Sequence, residues 1–439
     1  SKFLYASGAN DNFIIKYAIR RKELINVDTI RLGKPWPERI SIAGIALDDQ
    51  KKILYTVTKE NNSLYAIDLY TKSIISRHEL GGEGYTCILS PDRKTLYASC
   101  WGCDKIIIFD TYSQQITGSI PVGDNPNDMC ITADGRYLFA ANANDNNVSV
   151  IDTRQMKVIE TLNSALYPDA PSGSTTNSVA LSEDEKSLYI ANADNNCLAV
   201  FDVSVPGRSK GKGFIPTGWY PTSVRVVKDK ILVANGKGMT SLANPYGPNP
   251  VRRGDEVIYQ EGGRDQAIKV QYIGGLFRGT MSIINVPDEP QMGIYSKAVY
   301  GNTPYTKNKE LVSESPGGNP VPNKVGDPSP IKYIFYIIKE NRTYDQVLGD
   351  IPEGNGDPGL VLFGENITPN QHALAREFVL LDNFFVNGEV SADGHNWTMG
   401  AYATDYLEKN WPTSYGGRGG TYPGEGAREI ANNKLFLWD

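Results

Sequence analysis

One pattern recurs through the first three hundred residues and constrains the fold more than any other feature. Short runs rich in β-branched and aromatic residues alternate with turns of Gly, Asp, Asn and Pro, which is typical of β-strands joined by hairpins. Aligned on an aromatic residue, the units stand at Tyr55, Tyr97, Phe139 and Tyr189, in steps of 42, 42 and 50 residues, and Tyr5 lies 50 residues before Tyr55. A four-stranded propeller blade has this period. The sequence therefore predicts a mainly β fold, a β-propeller.

Six repeats are visible, beginning near residues 3, 51, 94, 136, 186 and 230. Each complete repeat reads as an inner strand, an LYxxN strand, a VxVID strand and an outer strand. The first repeat lacks its inner strand. Repeat units cannot bury their faces alone and must close into a ring, so we expect the missing strand, and a further blade, upstream of Ser1. Seven blades are predicted.

Polar residues recur at fixed positions of the blades. An Asn-rich or Asp-rich turn precedes the third strand, and an Asp or Asn closes it, at Asp68, Asp110, Asp152, Asp202 and Asn285. Such residues tolerate left-handed backbone and hydrogen-bond to their own turn. A ligand role is the alternative, but repetition at the same blade position favours turn chemistry.

The sixth repeat is interrupted by about forty residues between Val233 and Met281. An insertion of that length, with Pro, Gly and mixed charge, is usually functional or packs on another domain. We expect this insertion to pack on another domain.

Composition excludes some partners. The chain has 44 basic and 50 acidic residues, a net charge of −6, and lacks a basic run that could follow a phosphate backbone, so nucleic acid is not an expected partner. No apolar run approaches the roughly 20 residues that span a bilayer, so no transmembrane segment is predicted.

The five cysteines are an odd number, and the CxxC at Cys100 and Cys103 lies in a blade turn without a second pair to complete a zinc site. We interpret it as small residues in a tight turn.

The pattern changes after the repeats. Residues 303–330 are polar and rich in Pro and Gly, which predicts a linker between a propeller over 1–302 and a second domain over 331–439. The run IKYIFYII from Ile331 is typical of a strand buried on both faces of a parallel sheet. It leads into Glu340 and Asn341, at the end of the strand where open α/β sheets bind ligands.

Two further elements are predicted in this region. Pro369 can open a helix that carries His372, which we expect on the helix surface. Ser391 precedes a stretch, 398–407, that looks helical. A serine just before a helix has its hydroxyl exposed and its anion stabilised by free amides and the helix dipole. Locally, the simpler interpretations are a capped strand end at Glu340 and Asn341 and a helix cap at Ser391.

These motifs resemble two known families. The repeats resemble the YVTN-type propellers of secreted and surface proteins. The stretch ENRTYDQVLGD resembles the ENRxxDxxxG motif of phosphoesterases that include phospholipases C and acid phosphatases, within the alkaline phosphatase superfamily. The resemblance implies that Ser391, four residues before His395, is a nucleophile and that Glu340 and Asn341 belong to a divalent metal site, for zinc, calcium or another ion. His395 would then be structural or support the site.

Together these resemblances imply a secreted bifunctional protein, periplasmic or at the cell surface, which hydrolyses a phosphoester substrate with a metal while the propeller binds an unknown protein or cell-surface ligand. Two-metal members of the superfamily also carry later Asp and His ligands, which are absent up to Asp439. We therefore interpret residues 331–439 as an incomplete α/β phosphoesterase domain and expect this chain by itself to be inactive. The alternative is a propeller that binds or scaffolds, with an inactive C-terminal domain.

Overall fold

The computed structural model describes residues 2–35, 37–240, 256–261, 264–269, 275–303, 316–324, 326–386, 388–415 and 436–437. The chain folds as two compact units. The first comprises residues 1–240, 272–299 and 395–439, and the second comprises 241–271 and 300–394. The predicted domain from 331 to 439 stays a prediction, and the boundary between the units falls within it.

Six antiparallel sheets form the blades of the first unit, in the order of the six repeats. Blade 1 contains β1 (Phe3–Ser7), β2 (Phe13–Arg20) and β3 (Glu23–Arg31); blade 2 contains β4 (Ile42–Asp48), β5 (Ile53–Thr58), β6 (Ser63–Asp68) and β7 (Ile74–Glu79); blade 3 contains β8 (Gly84–Leu89), β9 (Thr95–Cys100), β10 (Lys105–Asp110) and β11 (Gln115–Pro121). Blade 4 contains β12 (Pro126–Ile131), β13 (Tyr137–Asn142), β14 (Asn147–Asp152) and β15 (Lys157–Asn163); blade 5 contains β16 (Thr176–Leu181), β17 (Ser187–Asn192), β18 (Cys197–Asp202) and β19 (Lys210–Pro216). Blade 6 contains β20 (Pro221–Val227), β21 (Lys230–Asn235) and, after the insertion, β24 (Thr280–Asn285).

The predicted propeller is confirmed by these sheets. Between residues 51 and 230, all of them described, the only helical turn is the three-residue 3₁₀ turn Trp101–Cys103. As expected, blade 1 has no inner strand before β1. The described residues form six blades, so the predicted seventh blade is not among them.

The core of the propeller lies between blades. Each large buried cluster joins the facing sheets of two neighbouring blades: the cluster around Tyr55 and Phe109 joins blades 2 and 3, and the cluster around Phe139 and Val179 joins blades 4 and 5. Alternating side chains on both faces of a sheet can be buried only when another sheet covers each face. Helix α1 (Glu289–Gly301) follows the last strand of blade 6, and its Met292 packs among residues of blades 5 and 6.

Turn chemistry explains the recurring polar residues, as predicted. The residue directly before the third strand, or before its equivalent β2 in blade 1, has positive φ in five blades, at Asn12, Asn62, Asp104, Asn146 and Asn196. The closing aspartates accept hydrogen bonds from the turn that follows: Asp68 Oδ1 lies 2.8 Å from the amides of both Tyr70 and Thr71. Short polar side chains are suited to both tasks.

The innermost strands share one irregularity. The register of β4, β8, β12, β16 and β20 shifts near the start of each strand, at its pairing with the second strand. An extra residue in one strand bends it and redirects its side chains. Because these five strands lie side by side around the centre of the propeller, the bulges turn their second and third residues towards the axis.

The forty-residue insertion interrupts the sequence of the sixth repeat, but the sheet of blade 6 continues across it. Strand β24 pairs directly with β21, with Asn235 opposite Thr280 and Lys230 opposite Asn285. A hairpin of β22 (Glu256–Glu261) and β23 (Arg264–Lys269) lies within the insertion and belongs to the second unit.

The second unit otherwise holds short helices. These are α2 (Tyr344–Leu348), a 3₁₀ turn (Pro358–Leu360) and α3 (Pro369–Glu377), and α4 (Ser391–Gly400) begins in this unit. Pro369 opens α3 as predicted. The predicted buried strand from Ile331 is wrong: residues 331–338 form neither strand nor helix, and Phe335 is 90% exposed. A parallel strand needs neighbours for its amides and carbonyls, and the described residues after Asn285 form no strand.

Helix α5 (Asp405–Tyr415) follows a short break after α4 and belongs to the first unit, so the predicted helix over 398–407 is divided in two. Among the described residues, none of the helices is long and apolar enough to cross a membrane.

Candidate functional site

The predicted phosphoesterase residues lie in the second unit, but the structure does not gather a metal site around them. Glu340 and Asn341 are exposed, and Ser391 is the half-buried first residue of α4. In the part of the chain that is described, no group of three or more His, Cys, Asp or Glu side chains is arranged to hold a metal ion. Two adjacent exposed side chains give too few ligands by themselves, so the expected divalent metal site stays a prediction.

His372 is buried, contrary to its prediction as a surface residue. Its Nε2 lies 2.8 Å from Asp350 Oδ1, and its Nδ1 lies 2.9 Å from the carbonyl oxygen of Thr368. Burial alone would lower the pKa of His372, but these acceptors outweigh it and raise that pKa. The ring is therefore a structural donor at the start of α3, which an amphipathic pattern could not reveal.

A cavity of about 420 Å³ lies at the centre of the propeller, between the innermost strands of its blades, and is called the central channel below. It is lined largely by the second and third residues of the innermost strands, such as Tyr85, Asp128 and Asn177, together with side chains that reach it from elsewhere: Lys59, Trp101, Arg225 and Lys409. The inner-strand bulges explain why these positions face one cavity.

One side of the channel carries a fixed ion pair. Arg225 Nη1 lies 2.8 Å from Asp128 Oδ2, and the same carboxylate oxygen accepts a hydrogen bond of 2.5 Å from Ser178 Oγ. Blades 4, 5 and 6 are thereby tied together at the axis. Because Asp128 accepts hydrogen bonds from both Arg225 and Ser178, its negative charge is already compensated by these two neighbours.

Residues 402–415, the C-terminal segment, dock on the face of the propeller where the channel opens. Asp405 is fully buried there; its Oδ2 accepts a 2.7 Å hydrogen bond from Trp101 Nε1, and its amide donates to Asn144 Oδ1 at 2.9 Å. Tyr406 stacks on Trp101, with ring centroids 5.2 Å apart and an interplanar angle of 14°. Trp101 and Asn144 both lie beyond second strands, so the turns of blades 3 and 4 also form a docking surface.

Lys409 reaches from this segment into the channel. Its Nζ lies 2.5 Å from Asp405 Oδ1, one turn earlier in α5, and 2.8 Å from Asn177 Oδ1. Burial would lower the pKa of Lys409, but the Asp405 carboxylate outweighs it, so the pKa is raised. Lys409 is thus a buried, charged and compensated residue.

Lys59 differs from the other two cations of the channel. Its Nζ donates to the carbonyl oxygen of Lys409 at 3.1 Å and lies 5.3 Å from the centre of the Trp101 ring. Among the ion pairs of the described residues, none involves Lys59. Burial, and then the charge of Lys409, lower its pKa from 10.5 to about 8. The carboxylates of Glu83, Asp405 and Glu60 act in the opposite direction, but burial and Lys409 outweigh them, so Lys59 is a desolvated cation without an ion pair among the described residues.

Sequence reasoning missed the channel residues. Lys59 directly follows the second strand of blade 2, Asp128 belongs to an inner strand, and Lys409 is three hundred residues away. The one available signal was the repeat itself, because propellers place their inner strands around one axis.

Comparison with known families supports the propeller. Residues 87–242 match the family model described as lactonase, 7-bladed beta-propeller. No curated protein matches the chain. Among solved structures, hydrazine synthase of Kuenenia stuttgartiensis is similar over 53% of this chain and 89% of that chain, with 17% sequence identity and a TM-score of 0.38.

Proposed function

We propose that the propeller is a ligand-binding module that holds a small anionic molecule in its central channel. The observation that carries this proposal is Lys59, a largely desolvated ammonium group at the channel wall without a carboxylate partner among the described residues. A buried charge is normally paired. An anion bound beside Lys59 would supply the missing charge and raise its pKa again.

The charges around Lys59 favour an anion over a cation. Asp128 is bound by Arg225, and Asp405 is bound by Lys409. Neither carboxylate is therefore left to bind a cationic ligand. The volume of about 420 Å³ suits a compact metabolite rather than a peptide.

Two anion sources share the required chemistry, an oxyanion on a small polar body. The resemblance of the Glu340 region to phosphoesterases favours a phosphomonoester. The matched family is named for lactonases, and the product of lactone hydrolysis is a hydroxycarboxylate. Both present negatively charged oxygen atoms to an ammonium group.

Titration calorimetry tests the proposal with a sugar phosphate and a sugar acid of equal carbon number, each against the wild type and the Lys59→Met variant. We expect one of the two anions to bind the wild type, and Lys59→Met to weaken that binding at least ten-fold, as loss of a buried charge contact does. Lys105→Met, at an exposed lysine of blade 3, is the matched control and should bind as the wild type does. Equal binding by wild type and Lys59→Met, or no binding of either anion, would refute the proposal.

A second candidate function is phosphoester hydrolysis with Ser391 as the nucleophile. The specific observation in its favour is that Ser391 opens a ten-residue helix, since the start of a helix is a position where backbone amides and the helix dipole favour an anion. The second unit would then act on the ester, with a divalent metal supplied by ligands beyond Glu340 and Asn341.

A chromogenic phosphodiester assay with added zinc or calcium tests this second function. Ser391→Ala should remove any hydrolysis and leave the thermal midpoint unchanged, with Thr398→Ala in the same helix as the control. Hydrolysis that survives in Ser391→Ala would exclude Ser391 as the nucleophile.

We further propose export to a periplasm or the cell surface. Supporting this is the disulfide between Cys100 and Cys103, since such bonds persist in oxidising compartments. A precursor gene that encodes no signal sequence would contradict export.

A further inference from the structure

Cys100 and Cys103 form a disulfide across the turn that ends the second strand of blade 3, with Cα atoms 5.4 Å apart. The equivalent position of blades 4, 5 and 6 holds an asparagine, at Asn142, Asn192 and Asn235. In blade 4 the corresponding turn is bridged by a hydrogen bond instead, from Asn142 Nδ2 to Asn147 Oδ1 at 2.7 Å. Only Trp101 and Gly102 lie between the two cysteines.

Trp101 is the residue that this turn positions, and it is 1% exposed. Its indole N–H donates to Asp405, its ring stacks on Tyr406, and Lys59 lies over it. The same side chain therefore contacts the C-terminal segment and the unpaired cation of the channel. A displacement of Trp101 would affect both.

Gly102 lies against Glu83, the residue just before β8, and this contact leaves the turn little room while the disulfide is closed. A Cβ atom at Gly102 would lie 2.9 Å from the backbone nitrogen of Glu83, and the Gly102 amide donates to the Glu83 carbonyl at 3.2 Å. A disulfide limits the conformations open to the chain between its ends. Without the bond, the glycine is the residue whose backbone can move most freely.

We propose that the Cys100–Cys103 disulfide is a redox switch for the C-terminal segment: the oxidised turn holds Trp101 against Asp405 and Tyr406, and reduction releases residues 402–415 from the mouth of the channel. The switch acts on an intramolecular contact, so it does not depend on the identity of the channel ligand.

The reductant is a dithiol. One of its thiolates attacks Cys103 Sγ, which is the more accessible sulfur because Cys103 is half-buried and Cys100 fully buried. The S–S bond breaks, and Cys100 leaves as a thiolate that takes up one proton. The second thiol of the reductant then attacks the mixed disulfide as its thiolate, which releases Cys103 as a thiolate that takes up the second proton. The dithiol becomes a disulfide, and this protein gains two thiols.

The other three cysteines do not compete in this exchange. Cys87, Cys130 and Cys197 are free, and burial raises the pKa of each of these thiols. Thiolates are the reactive form, so raised pKa values make these cysteines inert. A count of thiols in denaturant should therefore give three in the oxidised protein and five after reduction, which establishes the redox state of each sample.

Hydrogen exchange followed by mass spectrometry tests the switch in the intact chain, with and without dithiothreitol. We expect exchange in peptides covering 402–415 to be about ten-fold faster after reduction, as for a locally opened element, with cleavage by trypsin after Lys409 accelerated in parallel. Peptides covering β18 and β19 in blade 5, which do not contact the turn, serve as the internal control. Equal protection of 402–415 in samples with three and five thiols would overturn the proposal.

Two variants separate the switch from general destabilisation. The double variant Cys100→Ser, Cys103→Ser should show fast exchange in 402–415 with or without dithiothreitol. Trp101→Phe keeps the ring but removes the donor to Asp405, so it should speed exchange in 402–415 while the disulfide stays closed, and its response to reduction should shrink. A full redox response in Trp101→Phe would mean that the turn does not act through Trp101.

Discussion

The unpaired charge of Lys59 should make this residue destabilising at neutral pH. Its pKa falls from 10.5 to about 8 in the folded chain, and a tenfold change in a proton-binding constant corresponds to about 1.4 kcal/mol. The charged ammonium therefore costs the folded state about 3 kcal/mol near pH 7. Lys59→Met removes the charge, and its unbranched side chain can still pack over the Trp101 ring.

The sign of the pH dependence follows from the lowered pKa. Between pH 8 and 10.5 the unfolded chain binds a proton at Lys59 that the folded chain has lost, so the wild type gains stability as the pH rises. The Lys59→Met variant lacks this gain. We expect the variant to be the more stable protein near pH 7, and its advantage to fall by about 2 kcal/mol between about pH 7 and pH 9.5.

Urea unfolding of both proteins at a series of pH values measures this difference, since other titrating groups cancel in the comparison. Lys105→Met should follow the wild type at every pH. An advantage of Lys59→Met that does not change with pH, or a variant less stable than the wild type throughout, would show that the ammonium is not desolvated as the channel geometry requires.

Three further outcomes follow from the structure. The affinity of the wild type for its anion should be constant below pH 8 and fall up to ten-fold per pH unit above it, because only protonated Lys59 attracts the ligand; calorimetry at several pH values checks this. The pKa of His372 is raised, so its bond to Asp350 stabilises the fold fully below pH 6.5 and less as the pH rises through that raised value, a loss that His372→Gln should abolish in denaturant titrations. Gly44→Ala should destabilise the propeller by about 1 to 3 kcal/mol, because the new Cβ would lie 2.3 Å from the Cα of Thr86, whereas Gly118→Ala, with its nearest atom at 3.8 Å, should be tolerated.

Sequence predicted the blades because their signals are local. The alternation in a run such as Leu138 to Asn142, and the turn residues around it, depend on neighbours a few positions away. The channel depends on ring closure, which brings Lys59, Asp128 and Lys409 together from distant positions, and no local pattern records that. The strand predicted from Ile331 failed for a related reason. An apolar run indicates that a segment could be buried, but a strand also needs partner strands elsewhere in the chain, which the run itself does not indicate.

The direct pairing of β21 with β24 has a practical consequence. Because Asn235 and Thr280 face each other across the ladder, everything between them is topologically a hairpin loop, and no rung of blade 6 is lost to it. The entropic cost of closing a loop grows only slowly with its length. Blade 6 is therefore a suitable site for domain insertion. Another domain, or a two-residue turn, can replace the insertion while β21 and β24 keep their register.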